Sequence, residues 1–146
     1  MSLQIRDTIT PALAKAISAV KNPAPILEAM GQQLVSITKR AFSDSSLRAM
    51  PWPARKKPAP HQLLRKSGAL VQSIRITEVS QDHVTAGADR VYAAIQQLGS
   101  AKKTGRGSGI PPRPFFPFYK SGKMTPLAAR KIEAIAMDKL AKLMGK

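Results

Sequence analysis

The sequence predicts a single α+β domain. Three observations carry that reading. Apolar residues recur at helical spacing along the N-terminal third. One central stretch alternates apolar and polar residues on both sides of a turn. A Thr-Pro pair then opens a last amphipathic segment. At 146 residues the chain can bury about two-thirds of its unfolded surface, so one core needs no disulfide or metal to hold it.

Ile9, Leu13, Ile17 and Val20 predict a first helix over residues 8–21. Pro11 falls in its first turn, where a missing N–H costs nothing. Asn22-Pro23-Ala24-Pro25 breaks this helix. Leu27, Met30, Leu34, Ile37 and Ala41 then step 3-4-3-4 along a second helix that ends near Phe42. Two helices across a short break predict a helical hairpin over residues 1–46. Residues 47–62 hold four prolines and a Lys/Arg cluster, and predict a long flexible loop anchored by Trp52.

A short helix is expected from about residue 60 through Leu63, Leu64 and Leu70, with Gly68 a weak point inside it. Residues 74–79 and 83–87 alternate around Ser80-Gln81-Asp82 and read as a β-hairpin. Asp89 is placed to cap a helix over residues 90–98, and Gly99 to end it in a left-handed conformation. Residues 99–109 contain four glycines and three bases, a flexible basic loop. Residues 110–118, rich in Pro and Phe, read as extended, an edge strand. Thr125 and Pro126 open a final helix over residues 125–145, with Ile132, Ile135, Ala136, Leu140 and Leu143 on its apolar face. There is no internal repeat and no sustained heptad.

Charge is the second strong feature. The chain carries 24 Lys plus Arg against 8 Asp plus Glu, a net charge of +16. Residues 45–77 contain no acid and seven bases: Arg48, Arg55, Lys56, Lys57, Arg65, Lys66 and Arg75. Residues 90–132 contain no acid and nine: Arg90, Lys102, Lys103, Arg106, Arg113, Lys120, Lys123, Arg130 and Lys131. Clustering of this kind is the footprint of contact with a polyanion. Its plainer reading is a solvated basic surface that aids solubility.

Several chemistries are excluded or unsupported. There is no cysteine, hence no disulfide framework, thiol catalysis or Cys-ligated zinc. The two histidines, His61 and His83, lack an i, i+4 partner or metal-ligand spacing. Asp82 and His83 are neighbours and would point apart on a strand. The glycine run Gly105 to Gly109 lacks the Gly-Lys-Ser/Thr ending of a phosphate loop. No catalytic residue, cofactor or metal is expected. No signal peptide and no apolar run of about 20 residues is visible, so the expected product is soluble, intracellular and free of membrane.

One ordered set of short motifs says more. A helix ending at Phe42 is followed by the lone Trp52. Next come Leu63 and Leu64, then Ser67, Gly68, Leu70, Ser73 and Ile74. A strand ends at Gly87. Tyr92 and Ala93 lead to Gln97 and Gly99, and Pro111, Arg113, Pro114 and Phe115 follow. In this order the set resembles the bacteriophage virion morphogenesis, or tail completion, family of Mu-like phages and prophages, over roughly residues 27–118. The family usually has His where this chain has Gln96, and often an aromatic where it has Leu98. A catalytic His would be disabled by that change, so a structural position is the consistent reading.

The resemblance implies a structural protein that completes the tail or the head–tail joint of a tailed phage, as a ring of identical subunits. It implies tail or head-connector proteins as partners, with packaged DNA a further contact. It places the protein in the host cytoplasm during assembly and in the virion afterwards. Arg55, Lys56, Lys57, Lys102, Lys103, Arg106 and Arg113 are then the expected contact residues. Trp52, Gly68, Leu70, Gly87, Tyr92, Gln97, Gly99, Pro114 and Phe115 are the expected structural ones. Gly87 and Gly99 suit positive φ, and Tyr92 suits a buried ring with a bonded hydroxyl. Arg113 either pairs with a carboxylate of its own domain or reaches a neighbouring subunit. Two rival readings are a free nucleic-acid-binding protein and an assembly chaperone absent from the finished particle.

Overall fold

The structure, a computed structural model, describes residues 2–5, 11–54, 68–90, 93–99, 111–119 and 121–144. The elements run β1 (Ser2–Ile5), α1 (Pro11–Ser18), α2 (Ala24–Arg40), α3 (Ala69–Ser73), β2 (Arg75–Val79), β3 (Val84–Gly87), α4 (Ala93–Leu98) and α5 (Pro126–Leu143). The α+β class is as the sequence predicts, with the hairpin and the C-terminal helix in place.

The organising element is α2. Its stripe from Leu27 to Ala41 is buried throughout, and it packs against α5 as well as against β2 and β3. Both helices expected at the N-terminus are present, across residues 19–23, and α1 also packs on α5. Gly31 lets α2 approach the sheet closely. A Cβ there would lie 2.6 Å from Val84 Cγ2 and 3.0 Å from Ile76 Cδ1.

The sheet has three antiparallel strands in the order β1-β3-β2. Strand β1 is an addition to the sequence reading, which had only helices in the first 46 residues. It pairs Ser2 with Gly87 and Ile5 with Val84. β3 is therefore central and buried at every position, not only at Val84 and Ala86. β2 is bulged between Ile76 and Glu78, and the Thr77 hydroxyl donates to Thr85 O at 3.2 Å.

Other corrections are local. Gly68 does not sit inside a helix. It precedes α3 with φ +73, a conformation that a residue with a Cβ resists. Gly87 needs no positive φ, because it occupies an extended position between Ser2 and Arg75. Gly99 does have it, at φ 75. Asp89 faces Arg75 at 3.7 Å, on the surface. Residues 111–115 form no strand, and Phe118 makes one isolated bridge to Met124. At the last helix Thr125 accepts from Ala128 N and Pro126 stands at the start, as expected. Ile132 and Ala136 are buried there, whereas Leu143 is exposed, beyond the edge of the body.

Candidate functional site

The motifs of the second half meet in one place, and the reason is a shortage of backbone donors. Prolines at 111, 112, 114 and 117 leave residues 111–118 with four N–H groups. All four are satisfied. Arg113 N donates to Gln96 O at 2.7 Å, and Phe118 N to Phe116 O at 2.8 Å. Phe115 N and Phe116 N both donate to Gln97 Oε1, at 2.9 and 3.0 Å. Gln97 Nε2 donates back to Phe116 O at 3.4 Å. A buried side-chain amide on α4 thus replaces the neighbouring strand that a Pro-rich segment cannot use.

Phe115 and Phe116, fully buried, continue the core. Phe115 lies 5.4 Å from Phe42 and 5.0 Å from Phe116, ring centre to ring centre. Trp52 meets Phe42 edge-on at 5.7 Å, and its indole N–H donates to Pro114 O at 2.9 Å. Arg48 covers the other part of the Trp52 ring, with its guanidinium carbon 3.7 Å from the ring centre. Its Nε also donates to Ala41 O at 2.7 Å, at the C-terminal end of α2. Positive charge is favourable at that end of a helix dipole. Burial pulls the Arg48 guanidinium below its ordinary value while Asp44 acts the other way, and it stays charged.

Arg113 completes the arrangement. Within the chain its partners are backbone carbonyls rather than a carboxylate: Nε donates to Pro53 O at 3.0 Å and a terminal nitrogen to Ala54 O at 3.3 Å. The knot of Trp52, Arg113 and Gln97 therefore brings together Ala54, Gly99 on the end of α4, and Pro111 to Pro114. Arg55, Lys56 and Lys57 follow Ala54 directly in the chain. Lys102, Lys103 and Arg106 fall between Gly99 and Pro111. These six bases and Tyr92 lie outside the described residues, but the described ends of both basic segments converge. Leu70 is buried on α3 and belongs to the same core cluster as Phe42, Trp52 and Phe115.

Sequence reasoning missed Arg48. No local signal marks it, because its partners are a helix end and an aromatic ring that only the fold assembles. It also missed the bond between His83 and Asp82, which lies in the turn rather than on a strand. His83 Nδ1 is 2.6 Å from Asp82 Oδ1 and 2.8 Å from Ser80 Oγ, and Nε2 is 3.4 Å from Glu78 Oε2. The Asp82 hydrogen bond, then Glu78, raise the His83 pKa against the opposing effect of burial. A serine relay needs serine and carboxylate on opposite ring nitrogens. Glu78 does lie across the ring from Ser80, but Ser80 Oγ is also bonded to Asp82 Oδ1 and to both backbone groups of His83, so the cluster fastens a turn. Among the described residues no group of three His, Asp or Glu is arranged to hold a metal, and no helix is long and apolar enough to cross a membrane.

The model of the phage virion morphogenesis family matches residues 4–141. Neither a curated protein nor a solved structure matches the chain. The matched span takes in every element from α1 to α4, most of α5 and the whole knot, and by it the chain belongs to the phage virion morphogenesis family.

Proposed function

We propose that this phage assembly protein completes the tail or the head–tail joint, acting as a ring of identical subunits. Its basic segments meet an acidic surface of a tail or head-connector protein, or the packaged DNA. It works in the host cytoplasm during assembly and remains in the virion. No catalytic step is assigned to it. The observation that carries the reading is the convergence at Ala54, Gly99 and Arg113, which gives two acid-free windows of sequence a common origin. A second support is charge: +16 per subunit is self-repelling in a ring unless an anionic partner offsets it.

Reversal of Lys56, Lys57, Lys102 and Lys103 to Glu tests this. The variant is expected to fold with an unchanged thermal midpoint and to leave heads and tails unjoined when it replaces the wild-type gene. A wild-type yield of infectious particles from the reversed protein would contradict the role of these segments. The chaperone reading is separated by mass spectrometry of purified virions, where the protein is expected to be present. Single-strand binding by base stacking is disfavoured, since Phe42, Trp52, Phe115, Phe116 and Phe118 are buried and only Tyr119 is an exposed aromatic among the described residues.

A further inference from the structure

The last three turns of α5 carry more apolar surface than the body covers. From Ala134 to Met144 only Asp138, Lys139 and Lys142 are charged, and the other eight residues are Ala, Ile, Leu or Met. At about 100° per residue the three charges share one arc, with Ile135 among them, and the remaining arc is apolar. The body buries Ala136 and partly covers Ile135 and Leu140. Met137, Leu143 and Met144 stay 61%, 55% and 63% exposed. Met137 and Met144 stand i, i+7 and form a ridge with Ala141 between them. A helix flank that faces only water ordinarily carries polar residues. The core does not need this ridge, because Ala128, Ile132 and Ala136 already turn inward.

The other flank of the same helix borders an open groove of about 460 Å³ between α5 and α2. Pro25, Ala29 and Ile135 give it apolar walls, and Glu28 and Lys139 line it with one charge of each sign. Ile135 and Lys139 lie about 140–180° around the helix from Met137 and Met144. Ridge and groove are thus two unlike surfaces on opposite flanks of α5. A ring of identical subunits needs this arrangement, because each copy gives one patch to the neighbour before it and a different patch to the neighbour after it. Charge agrees. Asp138, on the arc next to the ridge, is paired with Lys142 at 3.1 Å, so ridge and groove together show two acids against two bases. A second copy meets no one-sided repulsion at this end, although the chain carries +16 overall. The ridge itself offers no cation to a phosphate.

We propose that Met137, Ala141 and Met144 of one subunit dock in the groove of Pro25, Ala29 and Ile135 on the next copy, as the repeated contact of the ring. This rests on the ring proposed above and names the surfaces that build it. The test uses purified full-length protein in sedimentation equilibrium, with copies per particle counted in purified virions. Two variants are compared. Met137→Gln with Met144→Gln keeps side-chain length and helix propensity while removing the apolar ridge. Ala29→Gln fills the groove from a half-buried position, and Gln32→Lys, at an exposed position lining it, takes its place where that protein does not fold. Wild type is expected to form species beyond the dimer. Each variant is expected to weaken self-association at least about tenfold, with helix content unchanged. Mixed together, the two variants are expected to pair, since one keeps its groove and the other keeps its ridge.

If the ridge variant assembles as wild type does, the docking inference fails while the ring stands. If wild type is a monomer in solution and present in one copy per virion, both fail. Where wild type assembles only in the particle, copies of the ridge variant per virion are the readout, and a loss is expected. If wild type assembles but the mixed variants do not pair, ridge meets ridge rather than groove, and the inference is overturned. Normal self-association of the ridge variant with heads and tails left unjoined would make a different virion protein the occupant, which also overturns it.

Discussion

Gln97 holds two N–H groups that have no other acceptor within the Pro-rich segment, so leucine in its place leaves both buried and unpaired. The expected cost is on the order of 2–4 kcal/mol, read as a shift in the urea midpoint with an unchanged slope. A loss under about 0.5 kcal/mol would mean the segment finds other acceptors, against its role as a strand substitute. The Thr125-Pro126 start of α5 was legible in the sequence because a cap is written in adjacent residues. The same holds for Gly99 at a helix end. Gly87 was misread because a glycine in a central strand and one in a turn look alike without the partner strand. Gln97 and Arg113 were legible as motif members but not as hydrogen-bonding groups. Their partners lie 18 to 60 residues away along the chain.

At the scale of elements, the α2–sheet contact predicts the sign of a helix substitution. Gly31→Ala gains about 1 kcal/mol of helix propensity. Against that, the new Cβ meets Val84 Cγ2 at 2.6 Å, inside a buried, branched side chain of the central strand. Overpacking of this kind costs about 1–3 kcal/mol, so a net loss of thermal stability is expected. A stabilised variant would show that the sheet can move away freely. The hairpin makes a pH prediction. Its histidine is held by Asp82 and Glu78 and titrates above its ordinary 6.5. The contact therefore contributes in full below 6.5, where the unfolded chain is also protonated, and the contribution is lost as pH rises through the elevated folded value. The thermal midpoint of wild type minus that of His83→Gln should shrink as pH rises above this point. A difference that grows with pH would contradict the assignment.

The helices α2 and α5 and the hairpin were legible because their periodicity is local. β1 was not, since four residues form a strand only through pairing with β3, some 80 residues on. β3 is also buried on both faces, which alternation alone cannot reveal. Residues 111–118 read as a strand because their composition is extended and aromatic. Four prolines deny them a ladder, and α4 supplies an amide side chain instead.

For the molecule as a whole, the fold is an ordinary α+β body and the charge is not. The described core accounts for the aromatics and the glycine at the helix–sheet contact, and leaves the net charge of +16 without an internal partner of comparable size. Ala54, Gly99 and Pro111, from which the two basic stretches continue in sequence, adjoin one knot, and the proposed assembly role rests on that convergence. The family was legible from the order of short motifs, several of which, Phe42, Trp52, Gln97 and Arg113 to Phe115, meet at the knot. The chemistry of the partner was not legible, because it depends on which faces the fold leaves uncovered. The most direct measurement is electron microscopy of particles made by the parent phage or prophage with this gene deleted. Filled heads separate from unattached or aberrant tails are the expected result. Normally joined, infectious particles would contradict a completion role.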